Sequence, residues 1–110
     1  MKSLNDVLKP VKEALLKVTD NVGHYEPNDG TQSHIVYAED SSNNFNGDNL
    51  VTAQSLQGTI DLYELGEGGM ADKVQEALNK AEIAFYLNSV QFENSEPKNF
   101  IHYEWVFEVS

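Results

Sequence analysis

The segment of this sequence that comes nearest to a cofactor-binding motif is residues 66–71, Gly-Glu-Gly-Gly-Met-Ala. Its spacing matches the Gly-x-Gly-x-x-Gly/Ala fingerprint that cradles a pyrophosphate at a helix N-terminus, and Glu93 follows about twenty residues later. However, the preceding residues alternate between apolar and polar, unlike a central strand of a parallel sheet. Glu67 would also place a carboxylate where the pyrophosphate must sit, and the chain is too short for two mononucleotide-binding halves. The pattern therefore predicts a turn.

Other chemistry-bearing residues form no recognisable site. Residues 42–53 partly match a calcium loop, but Ser42 and Ala53 occupy the two ends where carboxylates are needed. The histidines His24, His34 and His102 lack the spacing of metal ligands, so we expect them to face solvent or to form local hydrogen bonds. No Gly-x-Ser-x-Gly nucleophile motif occurs. The sequence predicts no metal, no cofactor and no enzymatic activity.

Composition indicates one globular domain over residues 1–110, with 40% hydrophobic residues and no cysteine. No apolar run approaches the roughly 20 residues that span a membrane, and the first residues become polar too early for a secretion signal. Eighteen acidic residues face seven lysines, giving a net charge of -11 without any arginine. This balance argues against direct binding of nucleic-acid phosphates.

The basic residues are concentrated near the N-terminus. Residues 1–18 contain four lysines against two acids, a net charge of +2, whereas residues 19–110 have a net charge of -13. The candidate subunit-contact residues on this basic helix are Lys2, Lys9, Lys12 and Lys17. Such a strip can contact an acidic neighbour, including another copy of the chain. The alternative is an ordinary solvated helix face.

The hydrophobic periodicity predicts six elements. A helix over residues 3–18 starts with a capping box at Ser3 and Asp6 and is bent near Pro10. A strand over residues 34–38 is followed by a polar loop at 39–49, which at eleven residues has a length typical of functional loops. The remaining elements are a strand over 50–65 with a bend or bulge near Gly58, a helix over 70–81, and strands over 84–92 and 101–109.

These elements predict an α+β fold, in the order α-β-β-α-β-β, with a mainly antiparallel four-stranded sheet and two helices packed on one face. The last strand shows the clearest alternation. One of its faces is apolar and must be covered by the helices: Ile101, Tyr103, Trp105, Phe107 and Val109.

This order of parts resembles the small tail-completion proteins of long-tailed bacteriophages, which include tail terminators and tail-to-head joining proteins. The resemblance is carried by Ile-Val-Tyr at 35–37, by Ile-Asp-Leu-Tyr at 60–63, by the helix with Val74, Ala77 and Leu78, and by the closing strand His-Tyr-Glu-Trp-Val-Phe-Glu-Val at 102–109. It covers most of the chain in layout and residues 57–109 in detail.

The resemblance implies a non-enzymatic structural protein of the virion tail, made in the bacterial cytoplasm. Such a subunit forms a ring, usually of six copies, between the tail tube and the head connector, and can be a monomer in isolation. The high negative charge fits a channel through which DNA slides without specific binding. The candidate channel-facing or partner-facing loop residues are Glu39, Asp40, Phe45 and Asp48.

Two alternatives from other classes stay open at this stage. A small soluble ligand-binding or regulatory domain would have a deep apolar pocket with converging polar groups. An acidic DNA-mimic inhibitor would carry its carboxylates on one convex face, spaced like phosphates. A flat apolar patch along a sheet edge would instead favour an assembly protein.

Overall fold

The structure is a computed structural model, and it describes residues 3–42, 55–66, 68–95 and 98–110. Two helices and five strands follow one another along the chain. They are α1 (Leu4–Leu16), β1 (Val22–His24), β2 (His34–Ser42), β3 (Leu56–Leu65), α2 (Met70–Lys80), β4 (Ala84–Ser95) and β5 (Lys98–Val109).

The sheet has five strands in the spatial order β1-β2-β3-β5-β4 and is mixed, because β1 runs parallel to β2 while all other pairs are antiparallel. The predictions of four strands and of the order α-β-β-α-β-β are therefore wrong. The missed strand, β1, has three residues and follows Asn21, which together with Gly23 suggested only a helix stop. Backbone bonds from distant residues fix it, including Ile35 N–H to the Asn21 carbonyl at 3.0 Å.

Both helices begin and face the core as their sequences predict. Ser3 caps α1, since its Oγ accepts a hydrogen bond from the Asp6 N–H at 3.2 Å, and Pro10 lies inside the helix without ending it. The apolar stripe of α1 is buried, and Val74 and Leu78 of α2 join it. The helices therefore lie on the same face of the sheet.

One continuous core lies between the helices and this face, here called the covered face. Ile60 and Leu62 of β3 are fully buried there, next to Trp105 and Phe107 of β5. The Trp105 indole N–H donates to Gln75 Oε1 of α2 at 3.0 Å, so the largest core side chain keeps a hydrogen bond when it is buried. The prediction that helices cover the apolar row of β5 is confirmed for its last three members.

The strand ends differ from the predicted ones. β2 continues to Ser42, so the predicted loop does not begin at residue 39, and residues 43–54 lie outside the described part of the chain. β4 and β5 extend to Ser95 and from Lys98, beyond the predicted strand bounds of 84–92 and 101–109. Long polar stretches can form strands where the neighbouring strand supplies the hydrogen bonds, which a single-sequence pattern does not reveal.

The irregularity predicted near Gly58 lies across from it, in β2, where the register shifts between Glu39 and Ser41. Gly58 itself is a point of close approach. A Cβ at this position would overlap the Ala38 carbonyl oxygen and lie 2.8 Å from both Glu39 Cα and Phe107 Cζ. Only glycine lets the bulged strand come this near.

We expect Gly58→Ala to lower the free energy of unfolding by about 2 kcal/mol or more, because the added methyl must displace backbone atoms. Urea denaturation measures the change. Gly30→Ala is the matched control, since its Cβ would make an ordinary 3.5 Å contact with Pro27. Equal stability of the two variants would contradict this account of Gly58.

Candidate functional site

The face of the sheet opposite the helices, here called the open face, carries the only described cluster in which a histidine meets two carboxylates. Alternation places Asp61 and Tyr63 of β3 on this face, with His102 and Glu104 of β5 beside them. Glu93 reaches the same cluster from β4, where it pairs with Phe100, two residues along β5 from His102.

His102 bridges two acidic side chains. Its Nε2 lies 2.7 Å from Asp61 Oδ1, and its Nδ1 lies 2.8 Å from Glu93 Oε2. A protonated imidazole donates from both nitrogens, so the doubly bonded arrangement favours the charged ring. The His102 and Asp61 side chains are mostly buried, while Glu93 keeps 38% of its side-chain surface in solvent.

Aromatic rings hold this cluster in place. Tyr63 stacks on His102 with ring centroids 4.2 Å apart, and His34 stacks on the other side of Tyr63 at 4.8 Å. Phe100 meets His34 and Tyr63 edge-on. His34 is buried, and its Nδ1 lies 2.7 Å from the Gln32 carbonyl oxygen. The column of rings fixes the orientation of the His102 imidazole between its carboxylates.

The cluster shifts the pKa values of its members. Burial lowers the pKa of His102, but the hydrogen bonds to Asp61 and Glu93 outweigh it and raise the pKa above its ordinary value. Burial raises the pKa of Asp61; the bond to His102 opposes this, and the nearby Glu104 carboxylate adds to it. Asp61 and Glu104 are directly opposite on paired strands, where like charges repel.

A solvent-open groove of about 450 Å³ runs beside the cluster. The loop after β1 forms one wall, with Tyr25, Pro27 and Gly30, and the open face forms the other, with Asp61, Tyr63, Glu93 and Phe100 among its residues. Asn21 shapes this loop, because its side chain bonds the backbone of Asp29 and of Ser33. A groove lined by aromatic rings and carboxylates suits a cationic group.

The groove contains no catalytic constellation that can be assigned from the described side chains. Both ring nitrogens of His102 already face carboxylates, so neither serves as a base for a serine or threonine hydroxyl. Within residues 3–42, 55–66, 68–95 and 98–110, no group of three His, Asp or Glu side chains is arranged to hold a metal ion.

At the glycine-rich segment, the chain's own carboxylate occupies the anion position. Glu64 is 2% exposed, and its Oε2 accepts hydrogen bonds from the N–H groups of Gly68 at 2.8 Å and Met70 at 3.2 Å. These N–H groups lie at the start of α2, where the helix itself supplies no acceptor. A phosphate bound at this helix N-terminus would use the same groups. The sequence correctly predicted a turn here, but it pointed to Glu67 instead of Glu64.

Of the four residues predicted to lie in one loop, two lie in a strand and two lie outside the described residues. Glu39 lies in β2, not in a loop, and its Oε1 is 2.7 Å from His24 Nε2. Burial raises the pKa of Glu39, but the bond to His24 and a backbone hydrogen bond lower it to below its usual value. Asp40 is exposed on the same strand. Phe45 and Asp48 lie outside the described residues.

The predicted basic strip lies on the solvent side of α1. Lys9 and Lys12 are exposed on the helix and Lys17 is its C-terminal cap, whereas Lys2 lies outside the described residues. Lys9 Nζ lies 3.9 Å from Glu13 Oε2, and both side chains are well exposed. This exposed pair adds little to stability, so the lysines stay available for other contacts.

Beyond the helices, the covered face of edge strand β4 exposes three large apolar side chains, here called the β4 strip. Leu87 is 46% exposed, Val90 53% and Phe92 68%. They are cross-strand partners of Trp105, Tyr103 and Ile101. The sequence predicted that the helices cover the apolar row of β5, but it gave no prediction for the apolar side chains of β4 beside that row.

A scan against models of known protein families gave no match, and a search among curated proteins also gave none. Among the described residues, neither helix is long and apolar enough to cross a membrane.

We expect the His102 cluster to make folding stability depend on pH. Because the pKa of His102 is raised above 6.5 in the folded state, its contribution is complete below about pH 6.5 and is lost as the pH rises through the folded value. The raised pKa of Asp61 acts in the same direction but in the more acidic range. The free energy of unfolding in urea should therefore fall between pH 6 and pH 8.

His102→Gln should flatten that fall, and Glu93→Gln should reduce it by removing one of the two anions that favour the imidazolium. NMR titration of the His102 ring protons reports the pKa directly. An unchanged slope in His102→Gln would assign the pH dependence to other groups.

We expect Glu64→Ala to destabilise the fold by about 2 kcal/mol, because two N–H groups at the start of α2 lose their buried acceptor. Glu64→Gln keeps an acceptor oxygen and should lose less. Urea unfolding followed by far-ultraviolet circular dichroism compares the two. Equal losses would mean that the charge, not the hydrogen bonding, is what α2 requires.

Proposed function

We propose that this protein is a non-enzymatic tail-completion subunit of a long-tailed bacteriophage, a tail terminator or tail-to-head joining protein. In this function it forms a ring of six copies around the DNA channel of the virion. The observation that carries the assembly part of the proposal is the β4 strip. The placement in a phage tail rests on the resemblance of residues 57–109 to that family.

The β4 strip supports assembly because a monomer gains nothing from keeping three adjacent large apolar side chains in water. They lie on β4, which is an edge strand of the sheet formed by the described residues. Natural edge strands are normally shielded by charges, bulges or covering elements. No charged side chain lies among Leu87, Val90 and Phe92, so this segment has the character of a contact surface.

The charge of the chain supports the second part of the proposal. A ring of subunits with net charge -11 each repels DNA phosphates, which allows DNA to pass without adhering. Asp40 is exposed on β2 beyond the residues that β1 pairs with, and it is the described carboxylate that we place toward the channel.

A small ligand-binding domain remains the second candidate, and the groove beside Asp61 and Glu93 is the observation in its favour. The groove is open to solvent and is not the deep apolar pocket typical of small-molecule sites. Assembly therefore has the stronger support.

We expect the purified protein at high concentration to form rings visible by negative-stain microscopy, and Phe92→Asp to abolish them by placing a charge in the apolar contact. Sedimentation velocity measures the same change in solution. Tyr86→Asp is the matched control, since Tyr86 is 57% exposed on the other face of β4. Rings that survive Phe92→Asp would contradict an assembly function based on this strip.

The genes on either side of the coding sequence test the placement in a virion. We expect genes for capsid, connector or tail-tube proteins there. A neighbourhood of metabolic genes would contradict the phage assignment while leaving the assembly test independent.

A further inference from the structure

The described lysine side chains lie on one side of the molecule only. Every lysine whose side chain the structure describes belongs to a helix or its cap: Lys9, Lys12, Lys17, Lys73 and Lys80. The described carboxylates of the open face are Asp61, Glu93, Glu104 and Glu108. The helices also carry acids, but the described part of the open face has no lysine side chain to balance its carboxylates.

Two of these carboxyl groups, those of Asp61 and Glu93, line the groove. His102 bonds both of them, and Asp61 lies opposite Glu104 on the paired strand, so a single imidazole faces three carboxyl groups. Glu93 is partly exposed and can accept a further hydrogen bond. Phe100 is its partner on β5, and the ring of Tyr25 lines the same groove. Carboxylates flanked by aromatic rings recognise an ammonium group.

The lysines best placed to supply that group are on the solvent side of α1. Lys9 and Lys12 are three residues apart and therefore neighbours on the helix surface. Among the described residues, Lys12 makes no ion pair within 4 Å, whereas Lys9 makes only the long, exposed pair with Glu13. Binding a carboxylate of another molecule would therefore cost Lys12 no intramolecular pair.

We infer that the open-face groove of one subunit receives the outer face of α1 from a second copy of this chain, with Lys12 directed to Glu93 and the neighbouring carboxylates. This inference rests on the proposed assembly function and names the contact between adjacent subunits. Charge complementarity selects a second copy as the occupant, because the chain itself supplies both the basic face and the acidic groove.

The position of the two surfaces determines the symmetry of the contact. The groove lies on the open face and α1 lies on the covered face, so one subunit cannot use the same patch on both sides of the contact. The contact is heterologous: each copy accepts α1 at its groove and presents its own α1 to the next copy. Repeated contacts of this type close into a ring when the rotation per subunit permits.

Charge reversal with complementation tests the contact. Lys12→Glu gives α1 of one copy an acidic residue facing the acidic groove of the next, and Glu93→Lys gives the groove a basic residue facing the basic helix. We expect each variant alone to associate roughly tenfold or more weakly than the unmodified chain in sedimentation equilibrium at low salt. An equimolar mixture should recover association, because the reversed helix fits the reversed groove in alternating subunits.

Glu108→Lys is the matched control, with the same charge change on the same face but six residues along β5 from His102, or about 20 Å. It should associate like the unmodified chain. Since Glu93 also bonds His102, urea unfolding of Glu93→Lys establishes that the variant is folded, and the Lys12→Glu arm does not involve that cluster.

Carbodiimide cross-linking of mixed ¹⁴N- and ¹⁵N-labelled protein provides a second measurement that detects weak contacts. We expect mixed-isotope cross-links between α1 peptides and the peptide with Glu93. Cross-links that avoid Glu93, or a mixture of variants that associates no better than either one alone, would overturn the inference.

The outcomes also separate this inference from the proposed function. Rings that persist in both reversal variants would leave the assembly function in place and remove this contact. A chain that stays monomeric and gives no mixed-isotope cross-links at any concentration would overturn the inference, and the neighbouring genes would then decide the proposed function. Binding of spermidine at the groove without association of copies would overturn the inference in favour of a small cationic ligand.

Discussion

The two helices are shorter than the sheet that they cover. Because of this difference in length, part of the covered face stays exposed to solvent. α1 and α2 have 13 and 11 residues, or about 20 Å and 16 Å. β4 and β5 have 12 residues each, or about 40 Å. The helices reach Trp105 and Phe107 but not the part of β4 with Val90 and Phe92. The molecule is elongated, with extents of 51 × 24 × 22 Å, because its longest strands extend well beyond the helices.

Periodicity predicted those parts of the fold in which one side of an element is buried within the subunit. α1, α2 and the apolar row of β5 are examples, because burial imposes their spacing. The three residues of β1 show no such pattern: their pairing depends on bonds to β2 that are made across a loop. Residues 39–42 of β2 were predicted to lie in a loop because they are polar, although Glu39, Ser41 and Ser42 pair with β3. In both segments, hydrogen bonds to residues distant in the sequence determine that the backbone forms a strand.

The histidine cluster shows how far the candidate site could be predicted. Alternation placed His102 on the polar face of β5 and Asp61 between apolar residues of β3, so the faces were available from the sequence. Their contact required the β3–β5 register, in which Asp61 pairs with Glu104 beside His102, over 41 residues of separation. The expectation that His102 faces solvent or forms a local hydrogen bond was therefore wrong. No short-range signal identified Glu93 as the second partner.

Net charge constrains how copies of this chain can meet. Subunits with a charge of -11 repel one another, and an apolar strip alone must overcome that repulsion at every contact. The lysine side chains that the structure describes lie on the helices, and the described carboxylates of the open face have no described lysine beside them, so one side of each subunit attracts the opposite side of its neighbour. Two copies related by a twofold axis through the open face would instead bring carboxylates together. The charge distribution thus favours a directional, head-to-tail contact, and a directional contact is what a closed ring requires.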